Sequence, residues 1–278
     1  MNRRRLLSTA AITATAVLSV GLLSACGAGN DAASDDPNAK LIVGASAVPH
    51  AEILEYVRDA LASGAGLELE VQIFDDYVLP NTAVDTGEIN ANYFQHQPYL
   101  DEFNKENGTS LVGVKPVHVE PLGAYSQKVT DLAALPDGAT VAFPDDATNG
   151  GRALKLLADN GLITLADGVG TNATEKDVTG NPKNLEFQPL AAEQLPRSLE
   201  DVDIAIINGN YALQADLNPA KDALVIEKAE GNPYANLLVT KTGQENDERI
   251  QKLATLLTSP EVKKFIEDKY QGSVIPAF

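Results

Sequence analysis

Twice along the chain, short apolar segments of strand length alternate with segments whose apolar residues recur every three or four positions. That order commits a chain to an α/β architecture, with sheets covered by helices. The first block opens with "KLIVGAS" at 40–46 and continues with helical spacing through Ile53, Leu54, Val57 and Leu61. "LELEVQIF" at 67–74 alternates strictly and predicts a strand. A helix over 79–84, a strand over 89–93, a helix over 96–105 and a strand within 111–119 follow. The second block starts near Tyr125. It carries strands over 140–143, 185–189, 204–207 and 224–226, with helices over 150–159, 191–199 and 210–215. "NLLVT" at 236–240 predicts a strand that returns to the first block. Helices over 247–258 and 260–270 close the chain, the second with Pro260 at its first position.

Such alternation predicts mostly parallel sheets in two lobes, the second inserted into the first. Residues 40–122 and 232–278 are assigned to lobe 1 and residues 123–231 to lobe 2. The two crossings, near 121–123 and 231–233, form a hinge, and the cleft between the lobes is the expected small-molecule site.

The amino terminus is organised for export. Arg3, Arg4 and Arg5 precede an apolar run over 6–23 that Ser8, Thr9, Thr13, Thr15 and Ser19 dilute. "LSAC" follows and ends in Cys26, the single cysteine of the chain. A basic, apolar, then small-residue order is a secretory leader over 1–25, not a spanning helix. "LSAC" resembles the lipobox of bacterial lipoproteins, which makes Cys26 the expected lipidation site. Residues 26–39 are small, polar and acidic and read as a tether. A lone cysteine has no disulfide partner, so stability must come from core burial. The chain holds 39 acidic against 21 basic residues, a net charge of −18. Loss of the leader removes three arginines and no acid, and so excludes nucleic acid as a partner still more firmly.

No local pattern carries catalytic chemistry. His50, His96 and His118 lie far apart with no i, i+4 pair, and no HExxH, CxxC or EF-hand loop occurs, so no metal or cofactor is expected. There is no GxSxG, and Gly150-Gly151 lacks the GK[ST] ending of a phosphate loop. What remains is a binding protein and not an enzyme. "DATNGGRALKLL" at 146–157 reads as a helix start, with Arg152 in the first turn and backbone N–H groups suited to an anion. Taken alone, Arg152 is either an anion clamp or half of an ion pair, and Asn149 either a polar contact or a helix cap.

"TNGGRALKLL", "NYFQHQPYLDEFN", "PVHVEPLGAYSQK" and "AIINGNYAL" together resemble the methionine-binding lipoproteins of bacterial ABC importers, from about Lys40 to the carboxyl terminus. The resemblance implies a two-lobed periplasmic-binding-protein fold that holds methionine between its lobes. The ligand then passes to an ABC permease and ATPase complex, with the carrier held to the membrane by its lipid. It implies that Arg152 clamps the α-carboxylate, that Asn149 is a polar ligand contact and that Asn208 contacts the amino-acid end; Asn236, in the return strand beside the second crossing, is a further candidate. It places Tyr77, Phe94 and His96 around the thioether, where sulfur–aromatic contacts contribute about 0.3–1.5 kcal/mol each. His118 and Tyr125 flank the first crossing, His118 as cleft wall or as a packed hinge residue. D-methionine or a methionine-containing dipeptide is the alternative ligand. An adhesive surface lipoprotein is the alternative of another class.

Overall fold

The computed structural model describes Asp36, residues 38–228 and residues 231–278. Cys26, the leader and nearly all of the tether lie outside the described residues. The chain runs through β1 (Leu41–Ala45), α1 (Glu52–Ala60), β2 (Leu69–Ile73), α2 (Leu79–Thr86), β3 (Ala91–His96), α3 (Gln97–Asn107) and β4 (Leu111–Val119). It then enters the second lobe with β5 (Gly123–Tyr125), β6 (Thr140–Pro144), α4 (Ala147–Asp159), the small hairpin β7 (Thr164–Leu165) and β8 (Val178–Gly180), and β9 (Glu186–Leu190). There follow α5 (Leu195–Ser198), β10 (Ile204–Ile207), α6 (Gly209–Gln214), α7 (Pro219–Asp222) and β11 (Val225–Ile226). The return brings β12 (Ala235–Lys241), α8 (Glu248–Leu257), α9 (Pro260–Tyr270) and β13 (Ile275–Pro276).

One sheet has the order β13-β4-β12-β3-β1-β2 and the other β11-β5-β10-β6-β9. The first is mixed, not mostly parallel as expected. β12 lies between β3 and β4 and runs antiparallel to both. The cause is the route of the chain: β4 leaves its sheet at the carboxyl end, and β12 re-enters at that same end, with Asn236 opposite His96 and His118. A strand that returns from the second lobe therefore has to run backwards. The second sheet keeps a parallel centre, β10-β6-β9, and adds antiparallel β5 and β11 at one side.

Helices cover both faces of each sheet, which explains why every residue of β3 and of β10 is buried. In the first lobe Ile53, Leu54 and Val57 of α1 pack with Leu253 and Leu257 of α8 and Ile266 of α9. On its other face, Ala83 and Val84 of α2 meet Leu100 and Phe103 of α3 over Leu237 and Val239. In the second lobe Leu154 and Leu157 of α4 pack on Val141, Ile204 and Ile206. The opposite face joins Leu195, Leu199 and Tyr211 to Ala205 and Ile207. Full burial of each such Leu, Ile, Val or Phe side chain contributes about 1.5–3 kcal/mol.

α4 starts three residues earlier than the sequence predicts. Asp146 is its N-cap and accepts from Asn149 N at 2.9 Å, so an acid of the chain itself takes the helix terminus. Arg152 is thereby in the second turn. The two glycines are not a start signal but a close-approach device: a Cβ on Gly150 would stand 2.8 Å from Pro144 O, and one on Gly151 would run into Thr171 O.

Candidate functional site

The carboxyl ends of the parallel strands in both sheets face one cleft, the usual binding edge of an α/β sheet. Phe94 and His96 end β3, Asn149 and Arg152 ride on α4 just past β6, Asn208 follows β10, and Asn236 opens β12. With Tyr77 they border one narrow cavity between the sheets. About 20 Å³ of it is open to the centre of a water molecule, so the walls stand close.

One end is aromatic. The rings of Tyr77 and Phe94 are 5.7 Å apart, those of Tyr77 and Tyr99 5.8 Å, and those of Phe94 and Tyr99 6.1 Å. Tyr77 also reaches across the lobes, where its hydroxyl donates to Asn210 Oδ1 at 2.6 Å. Tyr211 makes the reverse crossing to Asp75 O at 2.9 Å. These two bonds hold the lobes together at the aromatic rim.

The other end is polar. Asn149 Oδ1 accepts from His96 Nε2 at 3.1 Å and from Asn208 Nδ2 at 3.0 Å. His96 Nδ1 accepts from Tyr99 N at 3.2 Å and caps α3, so the ring proton sits on Nε2. Burial, with the Arg152 charge added, brings the His96 pKa down to about 3 and keeps the ring neutral. Arg152 is 4% exposed. Its Nε and Nη2 donate to Glu227 at 2.8 and 2.5 Å, and Nη2 also to Glu120 O at 2.9 Å. The guanidinium carbon lies over the Tyr234 ring, 4.1 Å from its centre. The bidentate edge expected for a ligand is thus taken by Glu227, and Nη1 carries none of these bonds. Arg152, Glu227 and Tyr234 also border an outer groove of about 560 Å³, and so form the wall between groove and cavity.

The sequence profile of the NlpA lipoprotein family matches residues 41–278. The chain belongs to this family. The methionine-binding lipoprotein MetQ of Bacillus subtilis is 43% identical to it over 92% of this chain and 94% of its own length. The D-methionine-binding lipoprotein MetQ of Escherichia coli is 42% identical with the same coverage. A nutrient-binding protein of Burkholderia cenocepacia, solved bound to methionine, superposes with a TM-score of 0.83 at 44% identity, covering 86% of this chain and 100% of the other. The NlpA family match thus spans both sheets and every residue around the cavity.

Seven of the eight residues singled out from sequence come together at the cavity: Tyr77, Phe94, His96, Asn149, Arg152, Asn208 and Asn236. His118 does not line it. It is fully buried one layer behind, because its place on β4 turns it towards Tyr93 and Glu120, and Tyr125 is likewise buried in the second lobe. Sequence reading missed Gln95, Tyr99, Gly209 and Asn210, and above all Glu120, a buried acid at the cavity wall. A signal was present: Glu120 is a single acid among apolar neighbours, next to Pro121 at the predicted crossing. Two side-chain atoms of residues at the cavity are buried without a partner, Asn208 Oδ1 and Asn210 Nδ2.

The histidines are not all far apart in space. His50, His118 and Glu120 each place a ligand atom within 4.8 Å of the other two, a grouping that could hold a metal ion and that corrects the expectation from spacing. His118 already hydrogen-bonds Glu120 at 2.7 Å, and His50 Nε2, which hydrogen-bonds Asn236, stands 3.1 Å from the same carboxylate oxygen.

Proposed function

We propose that this chain is a lipid-anchored solute-binding protein that captures methionine between its lobes and delivers it to an ABC importer, binding its substrate without transforming it. The observation that carries the reading is a cavity with one buried cation, Arg152, and one buried anion, Glu120, at its polar end, and three aromatic rings at the other. That layout complements a zwitterion with an apolar tail. The carboxylate would take Arg152 Nη1 together with the unpartnered Asn210 Nδ2, and the ammonium would take Glu120 and the unpartnered Asn208 Oδ1. A buried polar atom without a partner costs about 1–3 kcal/mol, so these pairings contribute directly to affinity. The thioether would lie among Tyr77, Phe94 and Tyr99. Both relatives named above as MetQ carry methionine in their names, and the Burkholderia protein is bound to it in its structure.

We assign residues 40–122 and 232–278 to one lobe and 123–231 to the other, with the hinge at the crossings. Anchoring through Cys26 would keep the protein on the extracytoplasmic face of the membrane, beside its permease and ATPase. Acyl labelling that survives Cys26→Ala contradicts the anchor. The functional reading is tested by melting the purified protein with and without methionine. A ligand that binds only the folded state stabilises by about 2.7 kcal/mol at a hundredfold excess over Kd, which raises Tm by several degrees. No shift with methionine, together with a shift for a different solute, replaces methionine as the ligand.

A further inference from the structure

Behind the polar end of the cavity lies a second layer built from three strands and a loop. Glu120 follows β4, His118 is on β4, Asn236 opens β12, Tyr93 is on β3, and His50 lies between β1 and α1. His50 is 1%, His118 0% and Glu120 5% exposed. The imidazole centres of His50 and His118 are 4.9 Å apart, and His50 meets the edge of the Tyr93 ring at the same distance.

Hydrogen-bond partners fix both tautomers. His50 Nε2 faces two acceptors, Asn236 Oδ1 at 2.9 Å and Glu120 Oε1 at 3.1 Å, so it must carry the proton. Its Nδ1 is buried with no partner, which suits a bare lone pair better than an N–H. His118 Nδ1 pairs with the Tyr93 hydroxyl, and its Nε2 donates to Glu120 Oε1 at 2.7 Å. The second carboxylate oxygen is held against Gly209, where a Cβ would stand 2.8 Å from Oε2 and 2.7 Å from Glu120 Cβ, so only glycine fits. Asn210 N adds a backbone hydrogen bond to the same carboxylate.

We infer that His118 and His50 are positioning residues for amino-group recognition: His118 as a neutral Nε2–H donor to the Glu120 carboxylate, and His50 as a second neutral ring whose Nε2 stands 3.1 Å from the same oxygen, fix that carboxylate at the cavity wall without cancelling its charge. This rests on the reading of the cavity as an amino-acid site. The choice of imidazole follows from electrostatics. A lysine or arginine in either place would pair with Glu120 as an ion and compete with the ligand's ammonium for the same charge. The neutral His118 donor supplies a hydrogen bond that favours the ionised carboxylate against its burial, the His50 N–H bonded to Asn236 stands 3.1 Å from the same oxygen, and neither ring cancels the negative charge left for the ligand. Arg152 is the other charged group that faces Glu120, and it favours the same ionised form. Tyr93 completes the chain by setting the His118 tautomer. The selectivity produced is for a free α-ammonium.

The test compares methionine with the analogue in which a hydroxyl replaces the amino group, by calorimetry at pH 7. The unaltered protein should prefer methionine by at least about thirtyfold, the scale of a buried charge pair. Glu120→Gln should abolish most of that preference. His118→Phe should lower it about tenfold, and His118→Gln, which keeps an N–H donor, should restore most of it. Nitrogen-15 spectra of the unaltered protein need no variant and should show both rings neutral with the proton on Nε2. A proton on Nδ1 of either ring, or an intact preference in Glu120→Gln, overturns the inference while methionine binding stands. If the unaltered protein binds no methionine, the functional reading falls and this inference falls with it.

Discussion

Arg152→Ala should weaken methionine binding by about 2–5 kcal/mol, thirtyfold or more, or put it below detection by calorimetry. The guanidinium is the buried cation of the cavity, and its removal leaves the ligand carboxylate to neutral donors alone. It also strands Glu227, which loses both of its Arg152 bonds, and Glu120 O, which loses its donor. A fall in Tm without ligand should therefore accompany the loss of affinity. Arg152→Lys should recover part only. One ammonium cannot serve both Glu227 oxygens on one edge and the cavity on another, whereas the planar fork does both. The loss should be alike for every amino acid, because the carboxylate is common to all. Phe94→Ala should instead cost more for methionine than for alanine, because only the longer side chain reaches the aromatic end. Normal methionine affinity in Arg152→Ala would make Arg152 a structural partner of Glu227 and no part of ligand recognition.

Acid should unfold the protein steeply, from about pH 6 down to pH 4. Three histidines are buried and neutral. Burial lowers His50 to about 4, against the pull of Glu120, and burial also lowers His96 and His118 to about 3, from an ordinary 6.5. Between the ordinary and the folded values the unfolded chain takes up protons that the folded chain refuses, so each histidine removes stability as pH falls through that window. Glu120 has the opposite sign. Burial raises its pKa, so on the folded side it binds a proton earlier and offsets up to one histidine. The net is two to three protons, or about 3 to 4 kcal/mol per pH unit at the steepest. Two such units remove an amount comparable with the whole stability of a typical protein, about 5–15 kcal/mol. Melting curves from pH 8 to pH 4 measure this, and a Tm that stays level from pH 7 to pH 5 contradicts it.

The two lobes were legible because strand and helix periods are local, and the alternation repeats on each side of the crossings. The cavity was legible where its residues sit in compact motifs, such as "NYFQHQPYLDEFN" and "TNGGRALKLL". What stayed hidden was made by tertiary contact. Glu227 is 75 positions from the arginine it holds, just past a short strand whose pattern says nothing of that pairing. His50 meets Glu120 and Asn236 only because the sheet order sets β4 and β12 close to the loop that follows β1. The reversed direction of β12 and the true start of α4 follow from chain routing and from Asp146, which outcompeted the glycines as the end signal.

The central claim is that one cavity reads the two charges of an amino acid at one end and its side chain at the other. A crystal structure of the protein grown with methionine tests it most directly. The carboxylate should lie at Arg152 Nη1 at about 2.7–2.9 Å, the ammonium between Glu120 and Asn208, and the thioether among Tyr77, Phe94 and Tyr99. Methionine seated in the outer groove beside Glu227 and Asn232, or lying in the cavity with its charged ends exchanged, would contradict the account.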